Sequence, residues 1–374
     1  MQQRYTRRLL KISWEPIPSE RPVRGDSKLR SEFRMIPEFS PQKAVWIQWP
    51  RPRAVEGADG CDFVDERLFI PAFVEIERAC RTEGEVHNIV LDNNAERSAK
   101  EKLTDAGVPL ENIFFHILPY DSCWSRDNGP IFVRKNDQEH ILDFGFNAWG
   151  YPPWGPYDKD AKVPKRIAEL LGTGCTRVQY VDHEDANKIK GLIYEGGAFE
   201  FSGEGTIVAS WAICKHRNPH LTKGQASQIF QNFTGAHTVI WIDSIWPGTT
   251  AEKADNHTDG YMKFYDKGKV CVAEELLDPV LGSVGKGPGK EAAEKLEQAG
   301  WDVYRLPSEC RWTFVNCLIF NGKVIAGYVD IPMTPLEKDT MERLFPRKTI
   351  IAIEIGQMVR AGGGVHCVTQ QQPE

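Results

Sequence analysis

A helix, a short apolar strand, a loop and a two-stranded hairpin with a tight polar turn follow one another in that order, repeatedly, from about Pro37 onward. This recurrence constrains the chain most, because helices and strands alternating at such spacing predict an α/β architecture built from similar units. The first unit runs through ERLFIPAFVEIERAC, VHNIVL, a further helix-strand pair ending in IFFHILPY, and the hairpin PIFVRKNDQEHILDFGF, with Asn136-Asp137 at its turn. The second has PKRIAELLG, TRVQYVD and IYEGGAFEFSGEGTIVAS, turning near Gly203 and Gly205. The third has KGQASQIFQNF, HTVIWID and YMKFYDKGKVCVAE; the fourth has GKEAAEKLEQAG, WDVYRLP and FVNCLIFNGKVIAGYV, where Asn321-Gly322 is the strongest hairpin signal. A fifth begins with LEKDTMERL and KTIIAIE and retains one strand, VHCVTQ. The early strand AVWIQWP is expected to pair with it, closing a propeller-like ring that leaves few free sheet edges. A plain stack of α/β layers is the alternative that periodicity alone leaves open.

Composition narrows the function classes. The 374 residues are 41% hydrophobic, enough for a sizeable core, and the net charge of -6 is spread along the chain without a basic patch, so no nucleic-acid partner is expected. Nine cysteines without a C-x-x-C pair give neither a disulfide framework nor a zinc-ribbon spacing, and predict reduced thiols in a cytoplasmic setting. No apolar run is long enough to span a membrane, and the basic start MQQRYTRRLLKISW lacks the apolar centre of a secretory signal. Residues 1–33 are read as an extension, and 34–374 as a single catalytic domain.

Chemistry-bearing residues recur in the segment between single strand and hairpin, and in a ring such segments converge on the axis. They are Asp127 in DSCWSRDNGP, Glu195 in YEGGAFE, His257 and Asp259 in DNHTDGYMKF, Asn316 in RWTFVNC and Cys367 in GGGVHC. Each has an ordinary reading beside the functional one. A strand cysteine is commonly a small core hydrophobe; Asp127 sits in turn chemistry; Glu195 could be an exposed strand residue; Asn316, in an apolar strand, could satisfy a buried backbone group. His257 and Asp259 share one face of an extended segment, whereas His366 points away from Cys367 if both lie in a strand. Together, one thiol, one imidazole and three carboxylates suit a guanidinium. Two aspartates can hold its planar fork of donors while a thiolate attacks the central carbon, and an imidazole serves as acid and then base.

At WSRDNGP, DFGFNAWG, EGGAFEFSGEGT, RNPHLTK, HTDGYMKF and GGGVHCVTQQQP the sequence resembles the agmatine deiminase and Porphyromonas-type peptidyl-arginine deiminase family of guanidino-modifying enzymes, over roughly Arg34 to Pro373. The resemblance implies a five-bladed pseudosymmetric α/β propeller. It also implies Cys367 as the nucleophile that forms an amidino-cysteine, His257 as general acid and base, and Asp127 and Asp259 as guanidinium acceptors. Glu195 would orient the histidine, and no metal or organic cofactor is implied. Trp124, Arg126, Asn316, Gly363 and Gly364 are further substrate-binding candidates. In AWGYPPWGPYDKD, residues Trp149, Trp154 and Asp160 could hold a distal ammonium by cation–π contact and charge.

The expected partner is a small cationic guanidino compound, with agmatine leading and arginine or peptidyl-arginine as alternative. Two departures bear on that choice: Ala254-Asp255-Asn256-His257-Thr258-Asp259 is closer to peptidyl-arginine members, and Trp312-Thr313-Phe314-Val315-Asn316-Cys317-Leu318 replaces the usual Ser-Tyr-x-Asn-Phe-Tyr run. A homo-oligomer, dimer or larger, is left open. Two other classes compete: a metal-dependent hydrolase using His257, Asp259, His366 and Cys367, whose spacing is poor for zinc, and a non-catalytic propeller that binds a partner.

Overall fold

Hairpins form where the turn residues demand them. Asn136 and Asp137 have φ of 50° and 61°, and Asn321 has φ of 48°, in the left-handed region that Asn and Asp tolerate. The structure, a computed structural model, describes residues 31–52, 54–56, 63–150, 156–182, 185, 188–251, 254–278 and 282–374. Among these, five sheets share one plan: an antiparallel pair whose second strand is joined in parallel by a third, reached through a helix. Ile131–Lys135, Gln138–Asp143 and Gly174–Arg177 form one, with helix Val163–Leu171 as its crossover and Phe33–Met35 added at the opposite edge. Phe199–Phe201, Thr206–Ser210 and Thr238–Ile242 form another, crossing over through Lys223–Thr234. The third has Met262–Asp266, Lys269–Val272 and Asp302–Arg305; the fourth has Leu318–Phe320, Lys323–Tyr328 and Thr349–Glu354. In the fifth, Gln370–Pro373 pairs antiparallel with Gln42–Gln48, with Trp46 opposite Gln370, so the expected pairing of early and late strands is present. Glu85–Val90 and Ile113–Ile117 continue that sheet in parallel.

The crossover helices bury one stripe each. Val163–Leu171 buries Val163, Ile167 and Ala168, spaced at i and i+4 or i+5. Lys223–Thr234 starts with a capping box between Thr222 and Gln225 and buries Ala226, Ile229, Phe230 and Phe233. Two expectations are corrected. TRVQYVD is two strands, Gly174–Arg177 and Gln179–Val181, the latter pairing with Ile189–Gly191. An additional hairpin, Glu275–Asp278 with Gly282–Lys286, precedes the helix Pro288–Gln298. Phe33 is buried within the first sheet's core, one residue ahead of the expected domain start.

Ahead of the first strand of each sheet the chain makes one short helical turn: Ser125–Asn128, Gly196–Ala198, Thr258–Gly260, Trp312–Phe314 and His366–Val368. The turn at Ser125–Asn128 packs against those at Gly196–Ala198 and His366–Val368, and Gly196–Ala198 packs against Thr258–Gly260. Similar connections thus bring distant segments to one place.

Candidate active site

Cys367 and His366 lie in one of these turns, not in a strand, and Asn316 lies between a turn and the strand that begins at Leu318. Likewise His257 is extended while Asp259 follows in a 3-10 turn. The expectation that alternate strand faces separate His366 from Cys367 therefore fails. What aligns the side chains is the tight turn, which fans successive residues instead of alternating them.

Gly197 marks the convergence. A Cβ there would lie 2.7 Å from His257 Nδ1, 2.8 Å from Asp127 Oδ1 and 3.1 Å from Asp259 Oδ2, so only glycine lets the three groups approach this backbone. Asp127 is held at both oxygens: Oδ1 accepts from the Gly197 amide at 3.0 Å, and Oδ2 accepts from Trp149 Nε1 at 2.8 Å. His257 Nδ1 lies 3.5 Å from Asp127 Oδ1, and its Nε2 lies 3.9 Å from Glu195 Oε2. Among the described residues those last two atoms are buried without a hydrogen-bond partner. Glu195 is fixed from behind by Arg217, whose Nε donates to Oε1 at 2.7 Å with both side chains fully buried.

Asn316 joins this group to the thiol. Its Oδ1 accepts from Cys367 Sγ at 3.4 Å and from the His366 amide at 3.2 Å, while its Nδ2 donates to the Asp259 carbonyl at 3.3 Å. The glycine run supplies close approach on the other side. A Cβ on Gly363 would meet Trp124 Cζ3 at 2.2 Å, and one on Gly364 would meet Asn316 Oδ1 at 2.4 Å. Cys367 is half-buried, whereas Asp127, Glu195, His257, Asp259 and Asn316 are buried.

Burial raises the Asp127 carboxyl above its ordinary range despite the nearby His257. The Cys367 thiol is pushed well up by burial and then by the charges of Asp259 and Asp127. Without a cation the site favours a protonated thiol. A bound guanidinium would reverse both effects, since opposite charge at short range favours the ionised acid.

Three expected substrate contacts meet protein partners in the structure. Asp160 is buried and accepts from the Asp121 amide at 2.7 Å and from Ser122 Oγ at 2.7 Å, so its carboxylate ties down the loop before Trp124. Arg126 turns its guanidinium to the His366 carbonyl at 3.3 Å and toward Glu38 at 3.6 Å. Trp149 spends its N–H on Asp127, so it aims the acid. Trp154 lies outside the described residues. Sequence reasoning missed Arg217, Glu38, Lys263 and Glu200 as individual residues, although Arg217 lies in RNPHLTK, Lys263 in HTDGYMKF and Glu200 in EGGAFEFSGEGT.

The sequence model of the Porphyromonas-type peptidyl-arginine deiminases matches residues 34–373. The chain belongs to that family. Among curated relatives in it, agmatine deiminase of Ectopseudomonas mendocina is 27% identical over 91% of this chain and 95% of its own length. Among solved structures, Enterococcus faecalis agmatine deiminase aligns with a TM-score of 0.73 at 24% identity, covering 92% of this chain and 96% of that one. A C. jejuni agmatine deiminase with substrate bound aligns with a TM-score of 0.71 at 22% identity, over 91% and 96% of the two chains. These likenesses show a shared mixed α/β fold. Among the described residues no helix is long and apolar enough to cross a membrane, and no group of three or more His, Cys, Asp or Glu side chains is arranged to hold a metal ion.

Proposed function

We propose that this family member is an agmatine deiminase, a hydrolase of linear amidines that converts agmatine and water to N-carbamoylputrescine and ammonia. The reading rests on the convergence of Asp127, His257 and Asp259 around Gly197, joined through Asn316 to a half-buried thiol. In this reading the two aspartates hold the guanidinium, and its charge favours transfer of the Cys367 proton to His257. The thiolate attacks the central carbon; ammonia departs with a proton from His257, leaving an amidino-cysteine. Water, deprotonated by His257, then attacks that carbon and the thiolate leaves. Glu195, held by Arg217, fixes the imidazole, and Trp124 walls the pocket beside Gly363. Residues 34–374 form one catalytic domain in this view. The five similarly connected sheets and the pairing of Gln42–Gln48 with Gln370–Pro373 support a five-bladed ring. Free cysteines suit a reducing, cytoplasmic location. Oligomerisation of the chain is likewise a proposal.

The family's peptidyl-arginine members keep arginine, free or within a peptide, as the second substrate class. A panel of agmatine, arginine and peptidyl-arginine, read by ureido colour and ammonia release, separates them; agmatine is expected to give the highest kcat/KM, and silence with all three overturns the enzyme reading. Cys367→Ala is expected to abolish turnover while leaving the unfolding midpoint near wild type. Retained turnover in that variant would exclude covalent catalysis at this thiol.

A further inference from the structure

Behind Asp259 lies a buried ionic cluster that the deiminase chemistry above does not use. His366 Nδ1 is 2.7 Å from Asp259 Oδ2, and His366 Nε2 is 2.7 Å from Glu38 Oε2. Both ring nitrogens thus meet carboxylate oxygens, which when ionised can only accept, and the ring satisfies both by carrying two protons. Charge arithmetic agrees. The cluster contains the carboxylates of Asp259, Glu38 and Glu200 and the cations of Lys263 and Arg126. Lys263 lies 3.4 Å from Glu38 and 3.3 Å from Glu200, and Arg126 lies 3.6 Å from Glu38. A doubly protonated His366 makes three cations against three anions; a neutral ring leaves one negative charge uncompensated in the interior, which is costly. All six side chains are buried.

The geometry points to His366 as an imidazolium strut that keeps Asp259 ionised and aimed at the substrate guanidinium. This inference rests on the deiminase reading of the site. His366 is a positioning residue, since it acts through Asp259. Its backbone is part of the same device: the His366 amide donates to Asn316 Oδ1, the acceptor of the Cys367 thiol, so one residue sets both the acid and the turn carrying the nucleophile. Burial alone would raise Asp259, yet the hydrogen bond and charge of His366 bring it below the ordinary carboxylate range. Burial likewise opposes ionisation of Glu38, but Lys263 and His366 hold it far below that range. Besides His366, the groups facing Asp259 are His257, Asp127, Lys263, Glu200, Cys367 and Tyr261, and they stay in place when the ring is replaced.

Two measurements test this. Neutron diffraction from the wild-type protein at about pH 8 is expected to show deuterons on both His366 nitrogens; a singly protonated ring with ionised neighbours overturns the inference. His366→Gln keeps a neutral donor toward Asp259 and removes the charge. It is expected to lower kcat/KM for agmatine by about 10- to 100-fold at neutral pH, chiefly through KM. The acid limb of its pH profile should rise by about one unit, so that raising the pH recovers part of the loss. A uniform loss with an unmoved acid limb, or a wild-type KM, overturns it. Should His366→Gln fail to fold, Glu38→Gln removes one of the two carboxylates that hold the imidazolium and should raise the acid limb in the same direction; an unmoved acid limb counts against the strut. A wild-type protein inactive on every guanidino compound would sink the deiminase reading instead, and the deuteron count still decides the state of His366.

Discussion

Gly197 is the residue on which the site geometry turns. Alanine there places a methyl within 2.7 Å of His257 and 2.8 Å of Asp127, so those groups must retreat. Retreat by a fraction of an ångström misaligns acid and base, and Gly197→Ala is expected to lower kcat about 100-fold, with an overpacking cost of about 1–3 kcal/mol. Steady-state kinetics beside urea unfolding would check both. Asp127, Glu195, His257, Asp259, Asn316 and Cys367 could be singled out in the sequence because each lies in the segment ahead of the first strand of a repeat's antiparallel pair. Lys263 was not. In YMKFYD it alternates with apolar neighbours and reads as a solvent-facing strand residue, yet it is fully buried. Alternation records which face is polar, not whether that face meets water or another polar face. Glu38, in the loop PEFSP before the first repeat, belongs to no such segment.

At the level of elements, the hairpins and crossover helices follow from turn chemistry and periodicity, while the five helical turns do not. Runs such as RDN, GGA and HCV carry no propensity that separates a single 3-10 turn from strand, and tertiary packing decides. The helix Ile70–Cys80 shows a further case. Its Glu77 is buried, with Asn88 Nδ2 donating to it at 2.8 Å, and burial pushes its carboxyl up to about 8. The native state therefore keeps a proton that the unfolded chain releases above its ordinary value of 4.5. Stability from this group is present below pH 4.5 and declines as pH rises toward 8, by up to about 1.4 kcal/mol per unit. Glu77→Gln is expected to flatten that decline, seen as a smaller fall in melting temperature between pH 5 and 8.

For the molecule as a whole, the seam between Gln42–Gln48 and Gln370–Pro373 matters most. Gln372 is fully buried there; its Oε1 accepts from Trp46 Nε1 at 2.9 Å and its Nε2 donates to Glu139 at 2.6 Å. Gln372→Ala orphans the indole N–H and should cost about 1–3 kcal/mol in urea unfolding. The repeat count and this pairing could be anticipated from the leftover single strand, whereas the ionic cluster beneath the site could not, since Glu38, Glu200 and Lys263 lie outside the repeated turns. Trp46 and Gln372 are 326 residues apart in sequence. Contacts of such separation form late, after local helices and hairpins. In dilution from denaturant, helical ellipticity should thus recover before ammonia release does, and the lag should shrink when early and late strands are covalently tethered. A chain arrested in that interval would already look folded by spectroscopy while remaining chemically silent.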